Sequence, residues 1–134
     1  MPIEAKGNKR ESEQAAEKIL IEHIFGKRAE LKHDNDGKPY LHYKNPDEIE
    51  ENISISHSKT HLVIAKSQKI IGVDIEHISD RLFRVKDKFL SEHEQKRMLI
   101  TRESLCRCWC AKEAIYKIAG KEAGFFGGGI EIFT

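Results

Sequence analysis

Asp74 and Glu76 stand two residues apart at the end of the apolar run in IIGVDIEH, residues 70–77. Read as a strand, that spacing projects both carboxylates from one face. Side by side they repel, and they resist ionising together unless a cation lies between them. A hard divalent ion takes oxygen ligands, and Mg²⁺ combines one or two carboxylates with phosphate oxygens and water. Gly72, with no Cβ, lets a ligand or a neighbouring chain come close. The plain alternative is a strand emerging into solvent. A second group lies in WCAKEAIYK, residues 109–117. On a helix, Glu113 and Lys117 share a face at i and i+4, while Lys112 lies about 100° round from Glu113. That pattern is an ordinary surface ion pair, or one carboxylate between two ammonium groups suited to a metal–polyphosphate ligand. Trp109, Ile115 and Tyr116 are read as packing residues.

Two weaker groups add to these. SISHS, residues 54–58, sets His57 between Ser56 and Ser58. Strand neighbours point to opposite faces, so this is no hydrolase triad. At a strand end, Ser56 and His57 can both reach a phosphate. Gly37-Lys38-Pro39 offers a lysine beside a rigid proline.

The elements that must position these residues can be read from periodicity. Residues 9–28 form a helix with an apolar stripe of Ala16, Ile19, Leu20, Ile24 and Phe25. Residues 33–52 are turn-rich and carry one short strand at most. Residues 52–57 alternate as a half-buried strand, and 61–67 with 70–76 form a hairpin across SQK. Asp80 caps a short helix through about Lys88. Ser91 and Glu94 have the spacing of a capping box. The last helix runs from about Arg102 to Ala119 and is closed by Gly120. The glycine-rich end, residues 124–134, holds one possible strand. The class is α+β, an antiparallel sheet with segregated helices, in a single domain over 1–134.

With 134 residues the chain can bury one core, and its net charge of +1 creates no global field for nucleic acid or a membrane. No apolar run approaches the roughly 18 residues of a membrane span, and no signal peptide is visible, so a cytoplasmic protein is expected. Cys106, Cys108 and Cys110 are an odd, clustered set that does not suggest a disulfide framework. On a helix successive members lie about 200° apart, which leaves only Cys106 and Cys110 on a shared face. They read as reduced, buried thiols rather than a metal site.

Taken in order, the segments resemble the 4′-phosphopantetheinyl transferases, of the larger, surfactin-synthetase-activating type. That family carries a G-K-P segment, a hydrophobic-G-hydrophobic-D-x-E strand and a W-x-x-K-E-A-x-x-K helix. Here these are Gly37-Lys38-Pro39, Ile71 to Glu76 and Trp109 to Lys117. The family's N-x-S-H-S strand has a counterpart in Ser56-His57-Ser58, with Asn52 displaced by two positions, and KFLSEHE (88–94) looks like the helix start between the later signatures. The resemblance covers about residues 9–120. It implies Mg²⁺, with Mn²⁺ as the alternative ion, held by Asp74, Glu76 and Glu113 with the pyrophosphate of coenzyme A. Asp74 thereby also belongs to the coenzyme site. Lys112 and Lys117 are implied to neutralise phosphates, His57 to hydrogen-bond a phosphate with Ser56 beside it, and Lys38 and Pro39 to line the nucleotide site. Arg10 is implied at the 3′-phosphate or adenine end, and Lys18 stands where the family often has arginine.

The implied reaction is attack by a carrier-protein serine on the β-phosphate of coenzyme A, with Glu113 as base, directly or through a metal-bound water, and Lys117 on the leaving phosphate. The partners are coenzyme A and an acyl or peptidyl carrier protein of fatty-acid, polyketide or nonribosomal-peptide synthesis. Residues 80–88 with Lys96 and Arg97 are the candidate basic face for an acidic carrier. The larger type has two α/β halves related by a pseudo-twofold, whereas the smaller, trimeric type opens with its G-x-D strand. Here the motif order is that of the larger type in a shorter frame, so an abbreviated or trimmed chain, or one completed by a second copy, is expected. A non-catalytic coenzyme A or carrier-protein binder and an unrelated Mg²⁺ phosphohydrolase are the alternatives; the latter leaves GKP and SHS unexplained.

Overall fold

A computed structural model gives the fold for residues 1–2, 8–120 and 130–132. Its elements, in order, are α1 (Lys9–Phe25), β1 (Ala29–His33), β2 (Pro39–Tyr43), β3 (Asn52–His57), β4 (Leu62–Ser67), α2 (Arg81–Phe89), α3 (Glu92–Arg97) and α4 (Arg102–Ala119). The α+β class expected from the sequence holds, with two two-stranded antiparallel sheets among the described residues. The chain divides into two compact units, Met1–Ile75 and Glu76–Thr134.

In the first unit α1 begins at a reciprocal cap. Asn8 Oδ1 accepts from Glu11 N at 3.0 Å, and the Glu11 carboxylate accepts from Asn8 N. Gly26 closes it, with its N–H bonded to Glu22 O at 2.8 Å. The helix therefore ends earlier than residue 28, and β1 follows at once. The inner face of α1 is Ser12, Ala16, Ile21 and Phe25. Ile19, placed in the expected stripe, is 55% exposed, and Ile21 takes the inner position instead. Ile21 and Phe25 join Ala29, Leu41 and Ile53 in a core that draws on α1, β1, β2 and β3. Each large side chain so buried stabilises the unit by about 1.5–3 kcal/mol.

β1 and β2 pair from Ala29↔Tyr43 to His33↔Pro39, so residues 34–38 form the connecting loop. Asp34 organises it: Oδ1 accepts from Asp36 N and Lys38 N, each at 2.9 Å, and its carbonyl accepts from Gly37 N at 3.0 Å. Gly37 sits at φ +80°, a conformation glycine adopts without a Cβ penalty.

β3 pairs with β4 from Asn52↔Ser67 to His57↔Leu62. This corrects the expected hairpin between 61–67 and 70–76, because residues 70–76 form no strand and β4 turns back on β3. The reason lies in the polar face of β3. Val73 N donates to Ser54 Oγ and Ile75 N to Ser56 Oγ, both at 3.1 Å. Side-chain hydroxyls thus take backbone groups that a ladder would otherwise use. Ser54 and Ser56 are as buried as Ile53, so β3 is covered on both faces rather than half-buried.

In the second unit, Leu82, Phe89, Leu90, Leu105, Cys106 and Cys108 form the core, joined by Val85, Met98, Trp109 and Ile132. Asp80 precedes α2 with helical backbone angles and makes no side-chain cap, so that expected cap is not formed. The Ser91–Glu94 box is formed at α3, and α4 spans the range its sequence predicts, closed by Gly120 at φ +72°. All three cysteines are free thiols, with Cys106 and Cys108 buried and Cys110 partly so. The possible strand in 124–134 falls largely outside the described residues, and 130–132 carry no strand. No described helix is long and apolar enough to cross a membrane.

Candidate functional site

In the first unit the candidate residues sit on α1, the β1–β2 loop, the end of β3 and the extended segment after β4. Asp74 is fixed most firmly. Ser56 Oγ donates to Asp74 Oδ1 at 3.0 Å while accepting from Ile75 N, so one buried hydroxyl holds both the carboxylate and the backbone beside it. Ser54 repeats the contact one rung away at Val73 N. Alternation along β3 puts both hydroxyls on the side opposite Ile53 and Ile55. Its place at a strand end predicts that Ser56 reaches a phosphate; the structure gives its hydroxyl to Asp74. The serine period itself, S-x-S, was the signal available for this.

His57 ends β3 with Nε2 buried and 2.8 Å from Glu17 Oε1 of α1. The two atoms lie close, but no hydrogen bond joins them. Lys38 lies exposed in the Asp34 loop, and Pro39 opens β2. Arg10 is exposed in the first turn of α1, and Lys18, two turns on, lines a cavity of about 630 Å³ with Glu17, Lys27 and Lys44.

In the second unit, Glu76 Oε2 accepts from Arg81 Nη2 at 3.1 Å and Oε1 from His77 N at 2.9 Å. The Arg81 guanidinium in turn lies 5.6 Å from the centroid of the Trp109 ring, which meets Phe89 edge-on. Trp109 is therefore a packing residue, as read, whereas Ile115 is exposed. Glu113 and Lys117 are partly exposed on α4, one turn apart.

Lys112 differs from its expected place. It is fully buried, and its Nζ donates to Phe89 O and, at 2.6 Å, to Glu94 Oε1. An ammonium held this way presents no surface to a phosphate. Glu94, expected only as a capping residue, is also buried, and its carboxylate accepts from Ser91 N and Ile132 N at 2.9 Å each. Burial pushes the Glu94 carboxyl up, but the bonds from Lys112, Ser91 and Ile132 outweigh it and hold the group below the ordinary carboxylate range. Cys108 Sγ, 3.7 Å from Glu94 Oε2, is pushed up to about 11 by burial and by the nearby carboxylate. The capping spacing announced Glu94; nothing in it announced the burial.

Three carboxylates are the right donor chemistry for a hard divalent ion. Among the described residues, however, no group of three His, Cys, Asp or Glu side chains is gathered as a metal site. Asp74, Glu76 and Glu113 are therefore a donor set by chemistry, without an observed cradle.

Residues 70–132 match the family model of the 4′-phosphopantetheinyl transferase superfamily. No curated protein matches the chain. The matched stretch takes in Asp74, Glu76, Lys112, Glu113 and Lys117 and stops short of Arg10, Lys18, Lys38, Pro39, Ser56 and His57. It supports phosphopantetheinyl transfer, the family's general chemistry between coenzyme A and carrier proteins, and the small antiparallel sheets with four helices are consistent with the family fold. Over residues 70–132, just under half of its length, the chain is similar to the 4′-phosphopantetheinyl transferase superfamily, the family that its motifs resemble.

Proposed function

We propose that the chain is a holo-carrier-protein synthase, moving 4′-phosphopantetheine from coenzyme A to a serine hydroxyl of an acyl or peptidyl carrier protein, with both units acting as one transferase domain. The observation that carries this reading is the family match over 70–132 preceded, in the family's order, by GKP and SHS. In the reaction the serine oxygen forms a bond to the β-phosphorus as the bond from that phosphorus to the α,β-bridging oxygen breaks. Glu113 takes the serine proton, and 3′,5′-adenosine bisphosphate leaves. Lys117, one turn along α4, balances charge on the leaving phosphate.

Asp74 fits a place at the pyrophosphate because Ser56 already fixes its carboxylate. Asp74, Glu76 and Glu113 would hold Mg²⁺, or Mn²⁺, which when bound supplies charge neutralisation at the pyrophosphate. Glu76 reaches such an ion only by giving up part of its pairing with Arg81. Arg10, Lys18, Lys38 and Pro39 serve the nucleotide end, and His57 turns from Glu17 to a phosphate. An acidic carrier is met by the basic face of the second unit. There Arg97 lines a cavity of about 440 Å³ with Arg107, Met98 and Leu99, and Arg84 and Lys96 are exposed.

The test incubates the protein with coenzyme A, Mg²⁺ and a panel of apo carrier proteins and follows carrier mass. Adduct formation that Asp74→Ala abolishes in a folded variant is the expected result. Retained coenzyme A binding with no adduct on any carrier would instead identify a non-catalytic binder.

A further inference from the structure

We propose that Lys112 is a positioning residue, locked to Glu94, whose pairing sets the rotation of α4 and so the placement of Glu113 and Lys117. The proposal rests on the transferase reading above. Two observations carry it. The first is that the Lys112 ammonium is enclosed: the residue has 0% exposure, and Nζ is spent on Phe89 O and Glu94 Oε1. The second is the reach of the pair. Glu94 also receives Ser91 N, Ile132 N and the Cys108 thiol, so the end of α2, the start of α3, α4 and residues 130–132 all bind to one lysine and one carboxylate.

Glu113 follows Lys112 directly, about 100° round the helix, and Lys117 shares its face. At a side-chain radius of about 5–6 Å, a 10° rotation of α4 moves a carboxylate by about 1 Å. A misplacement of about 1 Å can cost on the order of 100-fold in rate. Fixing the rotation from the buried side therefore matters for the exposed side. Removing one partner strands a buried charge, whereas removing both can leave the fold intact.

Two measurements test this. In the first, surface amines are acylated with and without coenzyme A and mapped by mass spectrometry. Exposed Lys88 and Lys96 should label while Lys112 stays unmodified in both samples, and a Lys112 that labels and is protected by coenzyme A overturns the proposal. The second compares Glu94→Gln, Lys112→Met and the double variant Glu94→Leu/Lys112→Met in the transfer assay. The single variants should lose about 10- to 100-fold in kcat with KM for coenzyme A within about threefold, and the double variant should recover most of that loss. A KM for coenzyme A raised by about tenfold or more in Lys112→Met, and still raised in the double variant, makes Lys112 a substrate ligand. Full kcat in folded single variants likewise overturns the proposal. If single variants fail to fold, the double variant carries the kinetic comparison. A wild-type protein that transfers nothing, with Lys112 still unlabelled, counts against the transferase reading and not against the lock.

Discussion

Ser56→Ala is the substitution with the most to say about Asp74. The hydroxyl makes two bonds from a residue that is only 5% exposed, donating to Asp74 Oδ1 at 3.0 Å and accepting from Ile75 N at 3.1 Å. A hydrogen bond to a charged group contributes roughly 1.5–3 kcal/mol, and an amide left unsatisfied in a buried place costs roughly 1–3 kcal/mol. Partial entry of water lowers the sum, so a local loss of about 2–4 kcal/mol is expected. Ser54→Ala is the matched control. It deprives the Val73 amide of the hydroxyl 3.1 Å away, and should cost roughly 1–3 kcal/mol without touching Asp74. The assay is amide hydrogen exchange over residues 70–76 alongside phosphopantetheine transfer. At about 1.4 kcal/mol per tenfold, Ser56→Ala should lower protection at Ile75 by about 30- to 700-fold, and Ser54→Ala should lower protection at Val73 by about 5- to 140-fold. Transfer should fall with Ser56→Ala and stay close to normal with Ser54→Ala. Unchanged protection at Ile75, or equal loss of transfer in both variants, would refute the idea that Ser56 holds Asp74 in place.

Four further outcomes can be checked on the purified protein. Cys108, held protonated up to about 11, should resist alkylation at pH 8 in the folded protein and react once it is unfolded; rapid labelling of native Cys108 would contradict its burial. Between the thiol's ordinary value of 9.0 and about 11 the unfolded chain releases a proton that the folded chain keeps, so stability should fall as pH rises through that window. Glu94 acts at the opposite end. Its folded carboxyl is held low, so its contribution is present above the ordinary carboxylate range and is lost as pH falls through the lowered value; acid unfolding followed by Trp109 fluorescence should become less pH-sensitive in Glu94→Gln. Gly37→Ala meets no atom within 4 Å, so its only penalty is the backbone at φ +80°, roughly 1–2 kcal/mol. A raised melting temperature in that variant would mean that the loop does not need its left-handed residue.

How much of this was readable from the sequence depended on whether a pattern was local. α4 ends where Gly120 says it does, and the Ser91–Glu94 box forms as spaced, because both are set within one helical turn. β3 is legible from the alternation of Ile53 and Ile55, which predicts a half-buried strand, yet its serine face is buried as well. Alternation says which residues share a face, not what lies over that face. The segment over it, residues 73–75, was in turn misread as a strand because an apolar run with glycine has the composition of one. Its amides bind hydroxyls across a sequence gap of 19 residues, a pairing that no local window contains. Ile19 and Ile21 show the same limit at smaller scale, since both fit an apolar stripe and only the packing of α1 on the sheets selects one.

Lys112 is the sharper case, because sequence and structure agree on its element and disagree on its work. W-x-x-K-E-A-x-x-K sets two lysines around one acid, and charge alone suggests that both serve an anionic ligand. Helical geometry does not treat them alike. Glu113 and Lys117 lie one turn apart, whereas Lys112 is rotated by about 100° from Glu113, enough to carry it from the exposed face into the core. A lysine can be buried there only if its charge is met, and Glu94 meets it at 2.6 Å with Phe89 O as a second acceptor. The capping box that starts α3 therefore does two jobs with one carboxylate, satisfying Ser91 N and neutralising α4 from inside. A motif shared by a family thus mixes residues that touch a substrate with residues that aim them. In this chain the division falls between two adjacent positions, Lys112 on the buried side and Glu113 on the partly exposed one.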